Sequence, residues 1–164
     1  MPFERAEGRF MRSFTLPGLD GNPVDMFRFR GWKPLIVLFH AGADCTPCAD
    51  LLRGLAADAA RFEAEGAQIV SVSVGDGPQD RALAEVLQPH VLTLFDPQGV
   101  ASAAQGFGDP ALIITDRYGE IFAFWQPDTA QALPELEDIY GWLVWIEAQC
   151  QACTTVNWAK LGER

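Results

Sequence analysis

Leu35-Ile36-Val37-Leu38-Phe39, followed six residues later by Cys45-Thr46-Pro47-Cys48, decides how this chain is read. An unbroken apolar run of this length predicts a strand covered on both faces, as in the middle of a sheet. A helical pattern begins near Ala49, with Leu51, Leu52, Leu55, Ala59 and Phe62 at helical spacing and Gly66 as its stop. The two thiols therefore fall where a strand's carboxyl end meets a helix's amino end. Unpaired N–H groups and the helix dipole stabilise an anion there, and cysteines in such motifs have pKa values of roughly 3.5–7.5. Pro47 suits the first helical turn. Asp44 opposes a second negative charge beside Cys45. Two intervening residues let one thiol reach the other, so a mixed disulfide on Cys45 can be resolved within one site. A bare C-x-x-C also serves as half of a zinc site, but the strand–motif–helix context favours redox chemistry.

Working outward, Phe10 to Thr15 and Val24 to Phe29 read as strands of an entry hairpin around the turn-rich Pro17-Gly18-Leu19-Asp20-Gly21-Asn22-Pro23. Ile69–Val74 alternates with serines as a strand, and Pro78 opens a helix carrying Leu83, Val86 and Leu87 that ends before Pro89. Val91–Phe95 is a further strand, and Gly99–Gln105 a short helix. Ala111–Thr115 and Ile121–Trp125, joined by Asp116-Arg117-Tyr118-Gly119, make an antiparallel hairpin. Pro134 opens a last helix with Leu136, Ile139, Tyr140, Leu143, Ile146 and Cys150 on one face. The order predicts an α/β sandwich whose parallel part turns antiparallel at one edge.

The 164 residues predict one domain, large enough to bury its core without disulfide staples. With 49% hydrophobic and 21% charged residues the chain reads as an ordinary globular protein, and no apolar run approaches a membrane span. A net charge of −10 argues against nucleic acid and anionic lipid surfaces as partners. The polar start, Met1 to Arg9, lacks an apolar segment of signal-peptide type, so a cytoplasmic location is expected. Disulfides in that compartment are transient and catalytic, which again favours a working pair.

These segments together resemble the thioredoxin-like superfamily in its redoxin branch, the peroxiredoxin-like relatives of alkyl hydroperoxide reductase and thiol-specific antioxidant. The residues that carry the likeness are Asp20-Gly21, the run from Leu35 to Cys48, Gln68-Ile69-Val70-Ser71-Val72-Ser73, and Asp116-Arg117-Tyr118-Gly119-Glu120. The resemblance implies a thioredoxin-like sandwich, a central mixed sheet flanked by helices, with an N-terminal β-hairpin extension. It implies that Cys45 attacks and Cys48 resolves, in a loop shaped by Asp44, Thr46, Pro47, Asp109 and Pro110, with Pro110 at the family's cis-proline position. The implied activity is thiol–disulfide exchange, extending to peroxide reduction and an antioxidant role. Its partners would be a protein or low-molecular-weight thiol reductant and a disulfide or peroxide substrate, with no cofactor. The chain differs from thioredoxins in having Asp44 in place of their Trp and Leu38 in place of their buried Asp. With Cys48 aligned to the peroxidatic cysteine of peroxiredoxins, Ala41 stands at their Pro, Cys45 at their Thr, and their Arg falls near Pro110.

The expected divisions are a tail over 1–9, the redoxin domain over 10–149, and a tail over 150–164. That last tail carries a second C-x-x-C, Cys150-Gln151-Ala152-Cys153. The second pair reads as a secondary redox relay, as part of a four-thiolate zinc site, or as core packing by Cys150. Because the last helix of the fold ends away from the active site, the two pairs are expected to be separate within one chain. A non-catalytic protein using its cysteines for structural zinc or as a scaffold is the alternative function. His40 reads as a plain loop histidine in preference to a proton shuttle, and His90 as solvent-facing. Neither joins carboxylates at metal spacing, so no metal site is assigned. Gly75-Asp76-Gly77 and Gly106-Phe107-Gly108 are loops and not phosphate cradles. Trp142, Trp145 and Trp158 read mainly as core, with a homodimer surface as the alternative.

Overall fold

The computed structural model describes residues 8–126 and 133–149. The sheet grows from the apolar run: β3 (Leu35–His40) is buried at every position and lies at its centre. Beside it run β4 (Gln68–Ser73), parallel to β3, and β5 (Val91–Phe95), parallel to β4. On the other side β6 (Ala111–Thr115) and β7 (Ile121–Trp125) run antiparallel, giving the order β5-β4-β3-β6-β7. Register places Phe39 opposite Ala111 and Leu35 opposite Thr115, so β3 ends where β6 begins. A separate hairpin, β1 (Thr15–Pro17) with β2 (Pro23–Asp25), precedes the sheet. This is the mixed-sheet sandwich with an N-terminal hairpin that the sequence predicts.

Alternation along β3 divides the core into two layers. Ile36 and Leu38 face α1 (Thr46–Ala57), α2 (Ala59–Ala64), α3 (Pro78–Leu87) and α5 (Leu136–Ala148), meeting Leu52, Leu55, Phe62, Leu87 and Leu143. Val37 and Phe39 face Val70, Val72 and Ile113 together with Met26 and Phe29 from the hairpin side. The short α4 (Val100–Ala104) is tied to the N-terminal stretch through Gln105, whose amide exchanges hydrogen bonds with the Arg12 backbone at 2.9 and 2.8 Å. Each fully buried side chain of this kind stabilises by roughly 1.5–3 kcal/mol, so Leu52→Ala is expected to cost about 2–5 kcal/mol.

Several expectations change in detail. The stretch from Val24 to Phe29 is strand only to Asp25, whose side chain accepts from Phe27 N–H at 2.9 Å and starts a 3-10 helix over Met26–Phe29. That turn buries both Met26 and Phe29, an i,i+3 pair that an extended chain would send to opposite faces. Phe10 and Met11 do not join the hairpin; they run along the β6–β7 turn, where Met11 N–H donates to Gly119 O at 2.9 Å. The helix after the cysteines breaks at Asp58, giving α1 and α2 in place of one element. Val86 is 68% exposed, so Leu83, Ala84 and Leu87 make the buried face of α3.

Candidate active site

The end of β3 leads through Ala41-Gly42-Ala43-Asp44 to Cys45, which is the N-cap of α1; the helix starts at Thr46, three residues before the predicted Ala49. Cys48 lies in the first turn and is bonded to Cys45 in a disulfide, with their Cα atoms 5.2 Å apart. Ala49 N–H donates to Cys45 O at 3.0 Å, which continues the helix across the motif. The two cysteines differ in burial. Cys48 is fully buried against Leu52 and the α-helical core layer, whereas Cys45 is half-buried. Asp44 and Thr46 are exposed and Pro47 is half-buried.

Pro110 stands immediately before Ala111, the partner of Phe39, so it lies at the same end of the sheet as the cysteine loop. The Asp109–Pro110 peptide bond is cis. Asp109 remains largely exposed, yet desolvation by its surroundings raises its carboxyl above the usual range.

His40 is not a loop residue. It is the last residue of β3 and 1% exposed. Gly42 N–H donates to His40 Nδ1 at 3.1 Å, which assigns the ring proton to Nε2; from there it donates to Ser71 Oγ at 2.7 Å. Burial pushes the imidazole down to about 4, the nearby Asp80 opposing this in part, so the ring is neutral at physiological pH. With both nitrogens engaged, it holds the backbone and carries no proton to the thiols. His90 is partly exposed and meets Glu63 at 2.9 Å.

Asp80, at the start of α3, joins the site without being singled out by the sequence. One carboxylate oxygen accepts from Gly77 N–H at 2.9 Å and the other from Ala43 N–H at 2.7 Å. The first bond follows from an acidic residue at the third helical position, counting Pro78 as the first, a recognisable capping signal. The second joins residues 37 apart and has no local signature. Gly42 and Gly75 leave room for this carboxylate: a Cβ on either would collide with it.

Among the described residues there is no cluster of histidine, cysteine or carboxylate that could hold a metal ion, and no helix long and apolar enough to cross a membrane. Cys150, Cys153 and Trp158, and with them the relay, zinc and separation readings, lie outside the described residues. A cleft of about 600 Å³, lined by Asp20, Arg28, Gln88 and Leu92 among others, opens beside the start of β5, and the cysteines do not line it.

A mixed sheet with a dithiol/disulfide pair at the head of a helix springing from its central strand defines a thiol oxidoreductase of thioredoxin-like fold. Within that class the chain belongs to the AhpC/TSA family, which residues 8–124 match. It is similar in fold to the peroxidoxin BcpB of Mycobacterium tuberculosis, at 21% identity over 90% of this chain and 99% of that one, with a TM-score of 0.68. The thioredoxin domain of a thiol-disulfide oxidoreductase from Bacteroides vulgatus is 24% identical over 87% of this chain and 98% of that one, with a TM-score of 0.67. A reduced 2-Cys peroxiredoxin of Plasmodium vivax is 16% identical, covering 85% and 81%, with a TM-score of 0.71. No curated protein sequence matches the chain.

Proposed function

We propose that the protein is a thiol–disulfide oxidoreductase of peroxiredoxin-like type in which Cys45 attacks and Cys48 resolves. The observation that carries this reading is the unequal burial of two bonded cysteines at the head of α1: Cys45 is half-buried and Cys48 fully buried. In the reduced state the Cys45 thiolate attacks one sulfur of a substrate disulfide, forming a mixed disulfide and releasing the other sulfur as a thiolate. The Cys48 thiol loses its proton and displaces Cys45's partner, so the substrate leaves as two thiols and the protein keeps the Cys45–Cys48 disulfide. A protein or low-molecular-weight thiol returns the two electrons. With a peroxide, Cys45 takes the terminal oxygen as a sulfenic acid, an alcohol or water departs, and condensation with Cys48 releases water. Residues 10–149 form the working unit, and the cytoplasm, where disulfides are transient, suits a pair that cycles.

Cys48→Ser is expected to trap mixed disulfides through Cys45, and Cys45→Ser to abolish trapping; equal trapping by both, or by neither, would sink the role assignment. Consumption of a disulfide and of hydrogen peroxide, each assayed with thioredoxin and with glutaredoxin as donor, separates the two substrate classes. Ala41, Cys45 and Pro110 stand where peroxiredoxins carry Pro, Thr and Arg, so disulfide turnover is expected to exceed peroxide turnover.

A further inference from the structure

We propose that His40 and Asp80 are positioning residues that together clamp the loop carrying Cys45 and thereby set the reactivity of its thiol. This rests on the reading of Cys45 as the attacking cysteine. The linkage is short and continuous. Gly42 N–H is held by His40 Nδ1 at 3.1 Å, and Gly42 C=O accepts from Cys45 N–H at 3.1 Å. A single residue, Gly42, thus joins the buried imidazole to the backbone of the attacking residue. Ala43 N–H, the next donor along, is held by Asp80 Oδ1 at 2.7 Å. Both clamping groups are anchored away from the loop: His40 by Ser71 Oγ on β4, Asp80 by Gly77 N–H at the head of α3. The loop is further fitted to the clamp by Gly42, whose φ of +133° disfavours any side chain and whose missing Cβ admits the carboxylate.

The clamp matters because thiol exchange needs the attacking sulfur aligned with its target and held at the positive end of the helix. Displacements of about 1 Å in such arrangements cost up to a hundredfold in rate. Packing alone would make any polar replacement of His40 equivalent. Clamping makes them different, because asparagine places an acceptor near the position of Nδ1 whereas glutamine reaches toward that of Nε2. His40→Asn keeps the Gly42 bond and gives up the Ser71 bond; His40→Gln does the reverse. Each loses one buried bond, so their unfolding midpoints should be similar.

The test is site-resolved alkylation of Cys45 in the reduced, full-length chain, with the Cys45–Cys48 redox potential read in glutathione buffers. His40→Gln and Asp80→Ala are expected to slow Cys45 alkylation about ten- to a hundredfold and to shift the potential, while His40→Asn stays within about threefold of wild type. Equal rates in His40→Asn and His40→Gln, or wild-type reactivity in folded Asp80→Ala, would overturn the clamp. Amide exchange in the unmutated protein gives a reading that no variant's instability can spoil. Slow exchange at Gly42 and Ala43 is expected, and free exchange at both would overturn the proposal. The alkylation rates judge the clamp without reference to turnover. A Cys45→Ser protein that still reduces disulfides would instead refute the role of Cys45.

Discussion

Two turns at opposite ends of the sheet use the same device for different ends. Where β3 finishes, His40 accepts the amide of Gly42 two residues on; where β6 finishes, Asp116 Oδ1 accepts the amides of Tyr118 and Glu120, each at 2.9 Å. Each turn contains a glycine of positive φ, Gly42 at +133° and Gly119 at +87°. The buried His40 and the half-buried Asp116 are each driven toward the neutral form, His40 down to about 4 and Asp116 up to about 6, in both cases chiefly by desolvation. They differ in what holds them. The Asp116 carboxylate bonds amides of its own turn, whereas His40 and the loop after it are tied to Ser71 and Asp80 from two other elements, just before the thiols. The carboxylate that shapes the hairpin turn acts within five residues. Holding the loop before Cys45 calls on three parts of the fold.

The two glycines give the sharpest test of this contrast. In Gly42→Ala the new methyl meets the Asp80 carboxylate and the backbone is strained as well, so a loss of about 3 kcal/mol or more is expected, with Cys45 reactivity falling alongside. Gly119→Ala meets only the movable end of Arg30, 3.0 Å away at its nearest atom, and should cost about 1–2 kcal/mol with Cys45 unaffected. Urea unfolding measures the first quantity and alkylation the second. Similar losses in both, with reactivity untouched, would erase the distinction.

Opposite pH signs come next. The unfolded chain takes up a proton on His40 below about 6.5 that the folded chain refuses until about 4, so this group's stabilisation is present above 6.5 and is lost as pH falls. Asp116 behaves in reverse. Its folded state holds a proton up to about 6 where the unfolded state releases it near 3.8, so its stabilisation is present in acid and is lost as pH rises through 6. The two partly cancel between about 4 and 6. Asp116→Asn keeps an oxygen for both amides and removes the cost of a partly desolvated charge, so it should match wild type near pH 4 and exceed it at pH 7. His40→Asn should resist acid better than wild type over the same range. Denaturation curves at several pH values check both slopes, and parallel curves for all three proteins would contradict the assigned shifts.

The smallest effect concerns Asp44, exposed beside Cys45. Exposed charges are screened by solvent and salt, so Asp44→Asn should raise Cys45 alkylation at neutral pH by no more than about threefold. A tenfold rise would mean that Asp44, more than the clamp, tunes the thiol.

Strands were legible wherever one element's burial shows in its own composition. The unbroken Leu35–Phe39 run announced the central strand, and the hairpin of β6 and β7 announced itself by two apolar runs about one short turn. Cys45 and Cys48 could be placed at a helix head for the same reason, although Thr46 rather than Ala49 begins the helix. Ser71 reads in sequence as ordinary strand alternation, and its place beside His40 gives it a partner.

By its own sequence, then, the chain set out a buried strand, a C-x-x-C at its exit and the order of the elements around them, because hydrophobic periodicity and turn residues act over a few positions. Three things awaited the tertiary structure: the unequal burial of the two bonded cysteines, the imidazole sealed at the strand's end, and the Asp80 carboxylate reaching a loop 37 residues earlier in the chain. Each depends on where whole elements come to rest against one another. That placement is decided by the packing of both core layers at once, and no local stretch of residues encodes it.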